Sequence, residues 1–310
     1  MIDLHLHIDG SFRSQTIYEL AKEMNIPLPA DSVEGLLPFI QVPEDCRSLE
    51  EYLERFTLPL QVIRTPAAVE RVTYELLIDL AAQGLDQAEL RFAPKSCAGT
   101  ADQKEIVEAA IRGLNRGIQE TGMKAGLILC AMRGNSFEDN METLLLVKEY
   151  LGKGVIAFDI AGAEIVFKTH LYADLFAKAR ALGVPYTIHA GEGDGPESIK
   201  AALDFGAKRL GHGIRVYEDP ELMKRVRDEK IVLEVCPISN LHTKVVDDMK
   251  DYPLRKLFDY GILVTINTDN MTMSNTNLKK EYEFIKKHYH FTDEEIKQMN
   301  ETAYRASFIK

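Results

Sequence analysis

The sequence has few cysteines and no long apolar run. Its four cysteines, at positions 46, 97, 130 and 236, lie far apart and include no C-x-x-C pair, so neither a zinc ribbon nor a dithiol redox motif is readable. No apolar stretch approaches the roughly 20 residues that span a bilayer, and the amino terminus lacks the charged and apolar segments of a secretory signal. We therefore expect a soluble cytoplasmic protein with reduced cysteines.

Positive charge is also in the minority. The chain carries 37 Lys and Arg against 48 Asp and Glu, a net charge of −11, and charges of both signs are scattered along it without a basic stripe. Binding to phosphate backbones or anionic lipid requires such a stripe. We therefore expect neither nucleic acid nor membrane as a partner.

The chain does contain a regular alternation of short apolar segments and amphipathic ones. Its 310 residues, 45% of them hydrophobic, suit one α/β barrel or two smaller domains. Strand candidates are residues 2–7, 87–93, 124–131, 154–160, 185–190, 208–212, 231–236 and 262–267. Helical patterns between them cover residues 66–83, 102–121, 138–150, 168–182, 196–204 and 219–229. Eight strand-then-helix units predict a single α/β barrel of the (β/α)8 TIM type.

Such a barrel usually needs about 250 residues, which leaves about 60 for an insertion. Residues 12–65 follow the first strand and read as helices broken at Pro27, Pro29, Pro38 and Pro43. This is a position where a barrel places its active-site loops. With no linker or repeat to indicate a second domain, we predict one domain over residues 1–310 with residues 12–65 as a helical lid.

The first strand ends in the segment "LHLHIDGS" at residues 4–11. Side chains alternate between the two faces of a strand, so His5 and His7 share one face with Asp3 and Asp9. Polar segments also end three later strands: "HAGEGDG" from His189, "GHG" around His212 and "NTDN" from Asn267. Chemistry in a parallel barrel collects at these carboxyl ends, so the polar residues there are the candidate functional residues.

Four of these residues form a predicted metal site. His5, His7, His189 and Asp269 together offer three nitrogens and one oxygen, a set that suits Zn²⁺ and leaves a position open for water. Each element also has a structural interpretation, because an H-x-H pair can arise by chance, His189 can be a core histidine, and Asp269 can cap a helix. Their common placement at strand ends of one barrel favours a catalytic site with one Zn²⁺ per chain.

Two further residues are candidates for proton transfer. Water bound to zinc has a pKa near neutrality, but it still needs proton partners. Glu192 lies three residues past His189, at the predicted start of the next helix, from where it can reach a substrate. His212, on the following strand, can orient the nucleophile and take or stabilise its proton. The alternatives are an acid that complements the helix dipole and a packed core histidine.

These segments resemble the adenosine deaminases, which are zinc-dependent barrel enzymes of the amidohydrolase superfamily. The matching motifs run in order over nearly the whole chain: "LHLHIDGS" at 4–11, "DIAGAE" at 159–164, "HAGE" at 189–192, "LGHGIR" at 210–215, "CPISN" at 236–240 and "INTDN" at 266–270. The resemblance implies zinc on His5, His7, His189 and Asp269. It also implies that Glu192 protonates purine N1, that His212 assists the attacking hydroxide, that Asp9 contacts ribose and that the Gly162 backbone donates to purine N3.

The insertion and the last motif supply three more candidate substrate contacts. Residues 48–56, "SLEEYLERF", carry apolar residues at Leu49, Tyr52, Leu53 and Phe56, which predicts an apolar stripe on one helix face. Since the family uses a helix here as a lid, Tyr52 and Phe56 are candidates to touch the substrate, although most such stripes are core. The family usually reads "TDD" where this chain has Asn270, so an amide takes the place of the acid that faces purine N7.

The expected activity is hydrolytic deamination of adenosine and 2′-deoxyadenosine to the inosine products and ammonia. The expected partner is a small purine nucleoside, and the sequence does not determine the oligomeric state. A nucleotide substrate is less favoured, because the loops after the strands offer few cations besides Arg215. Deamination of adenine or of a modified adenosine stays open as an alternative. A noncatalytic nucleoside-binding or zinc-binding relative is the third, although such a protein would have no use for Glu192 beside the metal.

Overall fold

The computed structural model describes residues 1–43, 46, 49–246 and 248–310, except for the side chains of residues 49 and 50. Its strands are β1 (Ile2–His7), β2 (Gln87–Phe92), β3 (Lys124–Met132), β4 (Val155–Ala161), β5 (Ile188–Ala190), β6 (Arg209–His212), β7 (Val232–Val235) and β8 (Leu263–Ile266). All eight predicted strands are present. The predicted segment 185–190 is shortened to three residues, because only its end pairs continuously with β6.

The strands form two parallel sheets of four, in the orders β1-β2-β3-β4 and β5-β6-β7-β8. Isolated parallel bridges join the sheets, Leu6 to Asp269 at one junction and Phe158 to Tyr186 at the other. Every strand therefore has a neighbour on both sides, and the predicted α/β barrel is confirmed. The carboxyl ends of β1, β5, β6 and β8 meet on one face of it.

Helices surround the strands. They are α1 (Ser14–Glu23), α2 (Val33–Ile40), α3 (Leu49–Leu53), α4 (Thr57–Val62), α5 (Pro66–Ala82), α6 (Pro94–Cys97), α7 (Gln103–Thr121), α8 (Phe137–Tyr150), α9 (Ala173–Ala181), α10 (Pro196–Asp204), α11 (Pro220–Asp228), α12 (Pro237–His242), α13 (Leu254–Asp259), α14 (Leu278–Tyr289) and α15 (Asp293–Ala306). Local sequence sets their ends. For example, Asp102 and Glu105 form a capping box at the start of α7, and Gly122 ends it with φ +72°.

Residues 12–65 contain α1 to α4, and two details predicted for this segment were wrong. Pro38 lies inside α2 and does not break it, since the helix continues to Ile40. The segment 48–56 is not one helix: α3 ends at Leu53, a 3-10 turn covers Glu54–Phe56, and α4 follows. Residue 48 and the side chain of residue 49 lie outside the described residues, so the predicted stripe is described only from Tyr52 onward.

The interior of the barrel carries charge beside its apolar core. Arg91, Asp159 and Glu234 are fully buried, and Arg91 donates to both carboxylates at 2.8 Å. At the floor of the barrel, Arg209 lies 2.7 Å from Glu234, and its guanidinium stacks over the Phe308 ring at 4.1 Å. Paired charges of this kind are tolerated inside a protein because each has a partner.

Within the part of the chain that the structure describes, no helix combines the length and the apolar character that crossing a bilayer requires.

Candidate active site

A cavity of about 300 Å³ opens at the carboxyl ends of the strands. It is lined by residues from the barrel and from the insertion: His7, Asp9, Tyr52, Leu53, Phe56, Leu60, Ala93, Ser96, Cys130, Met132, Ala161, Gly162, Glu164, His189, Glu192, His212, Thr243, Asp269 and Asn270. All the predicted site residues line this cavity except His5, which lies fully buried beneath it.

The four predicted ligands converge below the cavity. His7 and His189 approach each other to 3.2 Å between their Nε2 atoms. The Oδ1 atom of Asp269 lies 3.6 Å from His5 Nε2 and 3.5 Å from His7 Nε2. Strand β1 presents His5 and His7 two residues apart on one face, and backbone bonds between His7 and Asp269 hold the end of β8 against it.

Carboxylates behind two of the histidines fix their ring orientation. His5 Nδ1 lies 3.0 Å from Glu234, and His189 Nδ1 lies 2.8 Å from Asp159. Because these contacts occupy the Nδ1 side, the Nε2 atoms are left to face the site, as is usual for metal-binding histidines. Arg91 bridges the two carboxylates. Burial alone would raise the pKa of both, but His189 and Arg91 hold the pKa of Asp159 below its usual value, and Arg209 and Arg91 hold that of Glu234 well below its own.

The ionisation of His5, His7 and Asp269 suits a cation, whereas His189 differs: burial lowers its pKa, but the Asp159 carboxylate raises it above its usual value. Burial lowers the pKa of His5 to about 4 and that of His7 well below its usual value, so both imidazoles are neutral and can offer lone pairs. Burial alone would raise the pKa of Asp269, but contact with His5 and His7 holds it well below its usual range. His5 Nε2 is buried without a hydrogen-bond partner. An orphaned nitrogen beside two imidazoles and a carboxylate is the donor set of a zinc site, so the residues fit the metal.

Glu192 and His212 face each other across the site, with 3.6 Å between Glu192 Oε2 and His212 Nε2. Burial, reinforced by the nearby Asp269 charge, raises the pKa of Glu192, which favours a carboxyl that carries a proton. Asn240 Nδ2 lies 3.0 Å from His212 Nδ1 and can donate to it, which places the imidazole proton on Nε2. A proton donor thus stands beside the candidate metal ligands.

One expectation about Glu192 was wrong. It does not lie in the first turn of a helix, because α10 begins only at Pro196. The glycines at 191, 193 and 195 allow a turn before the helix, and proline is well suited to the first helical position. The helix-dipole interpretation of this acid therefore does not apply.

Two site residues occupy left-handed backbone conformations, His212 with φ +61° and Asp269 with φ +59°. Such conformations are unfavourable for residues other than glycine and persist where surrounding contacts impose them. Two consecutive residues of α12 supply these contacts, since Ser239 Oγ donates to Asp269 at 2.5 Å and Asn240 holds His212.

The predicted substrate contacts also line the cavity. Asp9 Oδ1 is buried without a hydrogen-bond partner, and burial raises the pKa of Asp9 to about 7. Gly162 has φ +106°, a conformation that glycine adopts readily. Tyr52 is buried and Phe56 half-buried, with 6.2 Å between their ring centroids. Asn270 donates through Nδ2 to the Tyr52 hydroxyl at 2.9 Å.

The residues that support the site carry no sequence signal that assigns them this role. Asp159, Glu234 and Arg91 were visible only as charged residues inside apolar strands, a signal that indicates buried partners without identifying them. Glu164 lies within the quoted "DIAGAE" motif, but its contacts are with backbone groups more than 25 residues away, and no sequence pattern shows these.

Comparison with known proteins agrees with the geometry. The model of the adenosine deaminase family matches residues 1–310. An adenosine deaminase from Haemophilus ducreyi is 45% identical over 315 aligned residues, which cover 100% of this chain and 92% of the relative. Among solved structures, an adenine deaminase from Arthrobacter aurescens has a TM-score of 0.90 at 25% identity, covering 100% of this chain and 94% of that one. An N6-mAMP deaminase from Arabidopsis has a TM-score of 0.88 at 26% identity, covering 100% and 93%.

Proposed function

The chain belongs to the adenosine deaminase family, and we propose that its cavity converts adenosine and 2′-deoxyadenosine to the corresponding inosines and ammonia. It is a hydrolytic deaminase. The observation that carries the assignment of the site is the convergence of three imidazoles, a carboxylate and a protonatable glutamate at the cavity.

We propose Zn²⁺ as the metal, held by His5, His7, His189 and Asp269. The orphaned His5 nitrogen supports this assignment, since no protein group of the described residues satisfies it. A bound zinc ion would supply a water whose pKa is lowered towards neutrality. The histidines and Asp269 bind the ion, and Glu234 and Asp159 orient two of those histidines.

Glu192 and His212 carry the proton transfers in this proposal. Attack at purine C6 disrupts the aromatic ring unless N1 receives a proton as the new bond forms. The raised pKa of Glu192 supports this carboxyl as the source of the proton. His212 stands beside Glu192 and orients the attacking oxygen. The reaction then needs no other proton donor at the ring.

A nucleoside fits the cavity better than a nucleotide. No lysine or arginine lines it in the described part of the chain, and phosphate recognition normally uses such cations. Arg215 does not serve, because its guanidinium donates to Glu218 at 2.7 Å and to the Gly193 carbonyl at 3.1 Å. The unpartnered Asp9 carboxylate favours a substrate with a hydroxyl, and therefore adenosine over free adenine.

Steady-state kinetics over adenosine, 2′-deoxyadenosine, adenine, AMP and N6-methyladenosine test the proposal. The fall in near-ultraviolet absorbance on deamination is the readout. We expect adenosine and 2′-deoxyadenosine to have the highest kcat/KM. A preference for adenine or AMP would contradict the nucleoside assignment while leaving the deaminase site in place. No turnover of any of the five by zinc-loaded protein would indicate a noncatalytic relative.

A further inference from the structure

We propose that Glu164 is the positioning residue for the proton donor Glu192. This inference rests on the proposed function, because it concerns the residue to which that function assigns the proton. Glu164 follows β4, lies near the cavity wall and is 3% exposed. It is not itself placed to serve as a metal ligand, since the candidate ligand groups formed by the described residues do not include it.

Several hydrogen-bond donors surround the carboxylate of Glu164. It accepts the backbone N–H of Gly191 at 2.7 Å and that of Glu192 at 3.0 Å. It also accepts from Gly193 at 2.9 Å and from Asp194 at 3.1 Å. The Ser198 hydroxyl donates to it as well. Four consecutive amides of one turn thus point at a single side chain.

The Glu164 carboxylate accepts the backbone hydrogen bonds that a helix or a strand would otherwise accept. Residues 191–194 belong to neither β5 nor α10, so their amides have no ladder or helix to receive them. Three of them share Oε2 and one uses Oε1, so both oxygens of the side chain act as acceptors. Since the amide of Glu192 is one of the four, the carboxylate fixes the main chain from which the proton donor projects.

Neighbouring contacts hold Glu164 itself. Ile165, the next residue, packs against Gly193, where an added Cβ would approach to 3.2 Å. Lys168 lies 2.7 Å from Asp194. Arg133 donates to the His189 carbonyl at 2.7 Å and to the Phe167 carbonyl at 2.6 Å. Several contacts therefore join the loop after β4 to the turn after β5. Among these contacts, those of Glu164 are the ones that include the backbone of Glu192.

A glutamine at position 164 has the same shape but only one acceptor oxygen, and its amide nitrogen would face N–H groups. The turn must then shift, and a misplacement of about 1 Å in a catalytic group costs about 10²-fold. We expect Glu164→Gln to lower kcat for adenosine about 10²-fold. KM should change less than about threefold, and the metal content per chain should not change. The exposed Glu197, in the same segment, is the matched control, and Glu197→Gln should leave kcat unchanged.

The decisive measurement is a double-mutant cycle with Glu192→Gln. If Glu164 acts through Glu192, then Glu164→Gln costs less than about threefold in kcat once Glu192 is glutamine. An equal loss in both backgrounds would overturn the proposal and leave the role of Glu192 intact. Near-normal turnover by Glu192→Gln alone would instead reject the proton-donor assignment, and this proposal with it. Should Glu164→Gln not fold, Glu164→Asp, which keeps the charge but is one methylene shorter, enters the same cycle with the same expected outcomes.

Discussion

Asn270 is the residue at which the candidate site departs from the family pattern. Its amide has two N–H groups, and one of them donates to the Tyr52 hydroxyl at 2.9 Å. Gly10 is needed beside it, because a Cβ there would lie 1.9 Å from Asn270 Oδ1. A carboxyl facing purine N7 must be protonated in order to donate, whereas an amide donates at any pH. We therefore predict that the second N–H of Asn270 holds N7.

Replacement of N7 by carbon should then cost about 1–3 kcal/mol of transition-state binding, the usual result of leaving a buried polar group unpaired. The measurement is the ratio of kcat/KM for adenosine and 7-deazaadenosine. Because the altered ring electronics can produce a similar loss, the same ratio is measured in Asn270→Ala. A penalty of equal size in the variant would mean that Asn270 does not contact N7.

The metal site makes a prediction at a single histidine. Replacing His189 by alanine removes one candidate ligand and the imidazole that Asp159 contacts, so the protein should lose both its divalent ion and its deaminase activity. Metal content per chain and kcat are measured on the same sample. The exposed His170 provides the matched control, and His170→Ala should keep both. Full metal content in His189→Ala would remove His189 from the ligand set.

Residue-scale prediction from sequence succeeded where the chemistry is local. Two histidines two residues apart must share a strand face, so His5 and His7 could be paired without a structure. Glu164 could not be assigned in this way, because its partners are amides of a turn whose path depends on β5 and α10. The same holds for Glu234, whose contact with His5 spans 229 residues.

At the scale of elements, α12 positions two residues of the candidate site. Its Ser239 donates a hydrogen bond to Asp269, and its Asn240 contacts His212. Its first turn is held by Glu281 of α14, which accepts the Ile238 N–H at 3.2 Å. Burial raises the pKa of Glu281 to about 8, so this carboxyl is protonated in the folded chain at neutral pH.

The buried Glu281 predicts a pH dependence of stability. Between pH 4.5 and about 8 the folded chain holds a proton on this group that the unfolded chain releases, so folding stability falls as the pH rises through this window. Glu281→Gln cannot release a proton. Its Tm should therefore decline less between pH 6 and pH 8.5 than that of the parent, as measured by calorimetry. Glu283→Gln, an exposed change on the same helix, should follow the parent curve, and an identical curve for Glu281→Gln would contradict the assigned titration.

Elements were predictable to the extent that their own residues determine them. The eight strands follow from short apolar runs, and α7 from the amphipathic helical pattern over residues 102–121. Residues 48–56 were predicted as one helix, but α3 ends at Leu53. The Tyr52 hydroxyl lies 3.4 Å from Ser274 Oγ and accepts from Asn270, and these contacts are with residues more than 200 positions away. Tertiary contacts of that kind leave no periodic trace in the sequence.

For the whole molecule, the position of the candidate metal site is the important feature. His5 and His7 belong to β1 of one sheet, whereas His189 belongs to β5 of the other sheet and Asp269 follows β8 of that sheet. The ligands therefore join the two halves of the barrel at the Leu6 to Asp269 bridge. An ion bound there stabilises the closed barrel relative to any opened or unfolded state.

Removal of the metal should consequently lower the Tm of the whole protein by roughly 5 °C or more, the scale that ligand linkage gives for a tightly bound ion. Calorimetry before and after chelation, and again after zinc is restored, measures the shift. His189→Ala serves as the control, because its Tm should not respond to the chelator. An unchanged Tm in the parent would mean that the ion does not join the two sheets.

The bridge between β1 and β8 also sets the time at which the site can first exist. Leu4 donates its backbone N–H to Asn267, 263 positions later in the chain. His5 and Asp269 have a similar separation in sequence. At roughly 5–20 residues per second, a ribosome needs on the order of 15–50 s to make the intervening chain. The first candidate ligands to be synthesised thus emerge without their carboxylate partner. The proposed four-residue metal site can therefore be complete only after the last strand has been made.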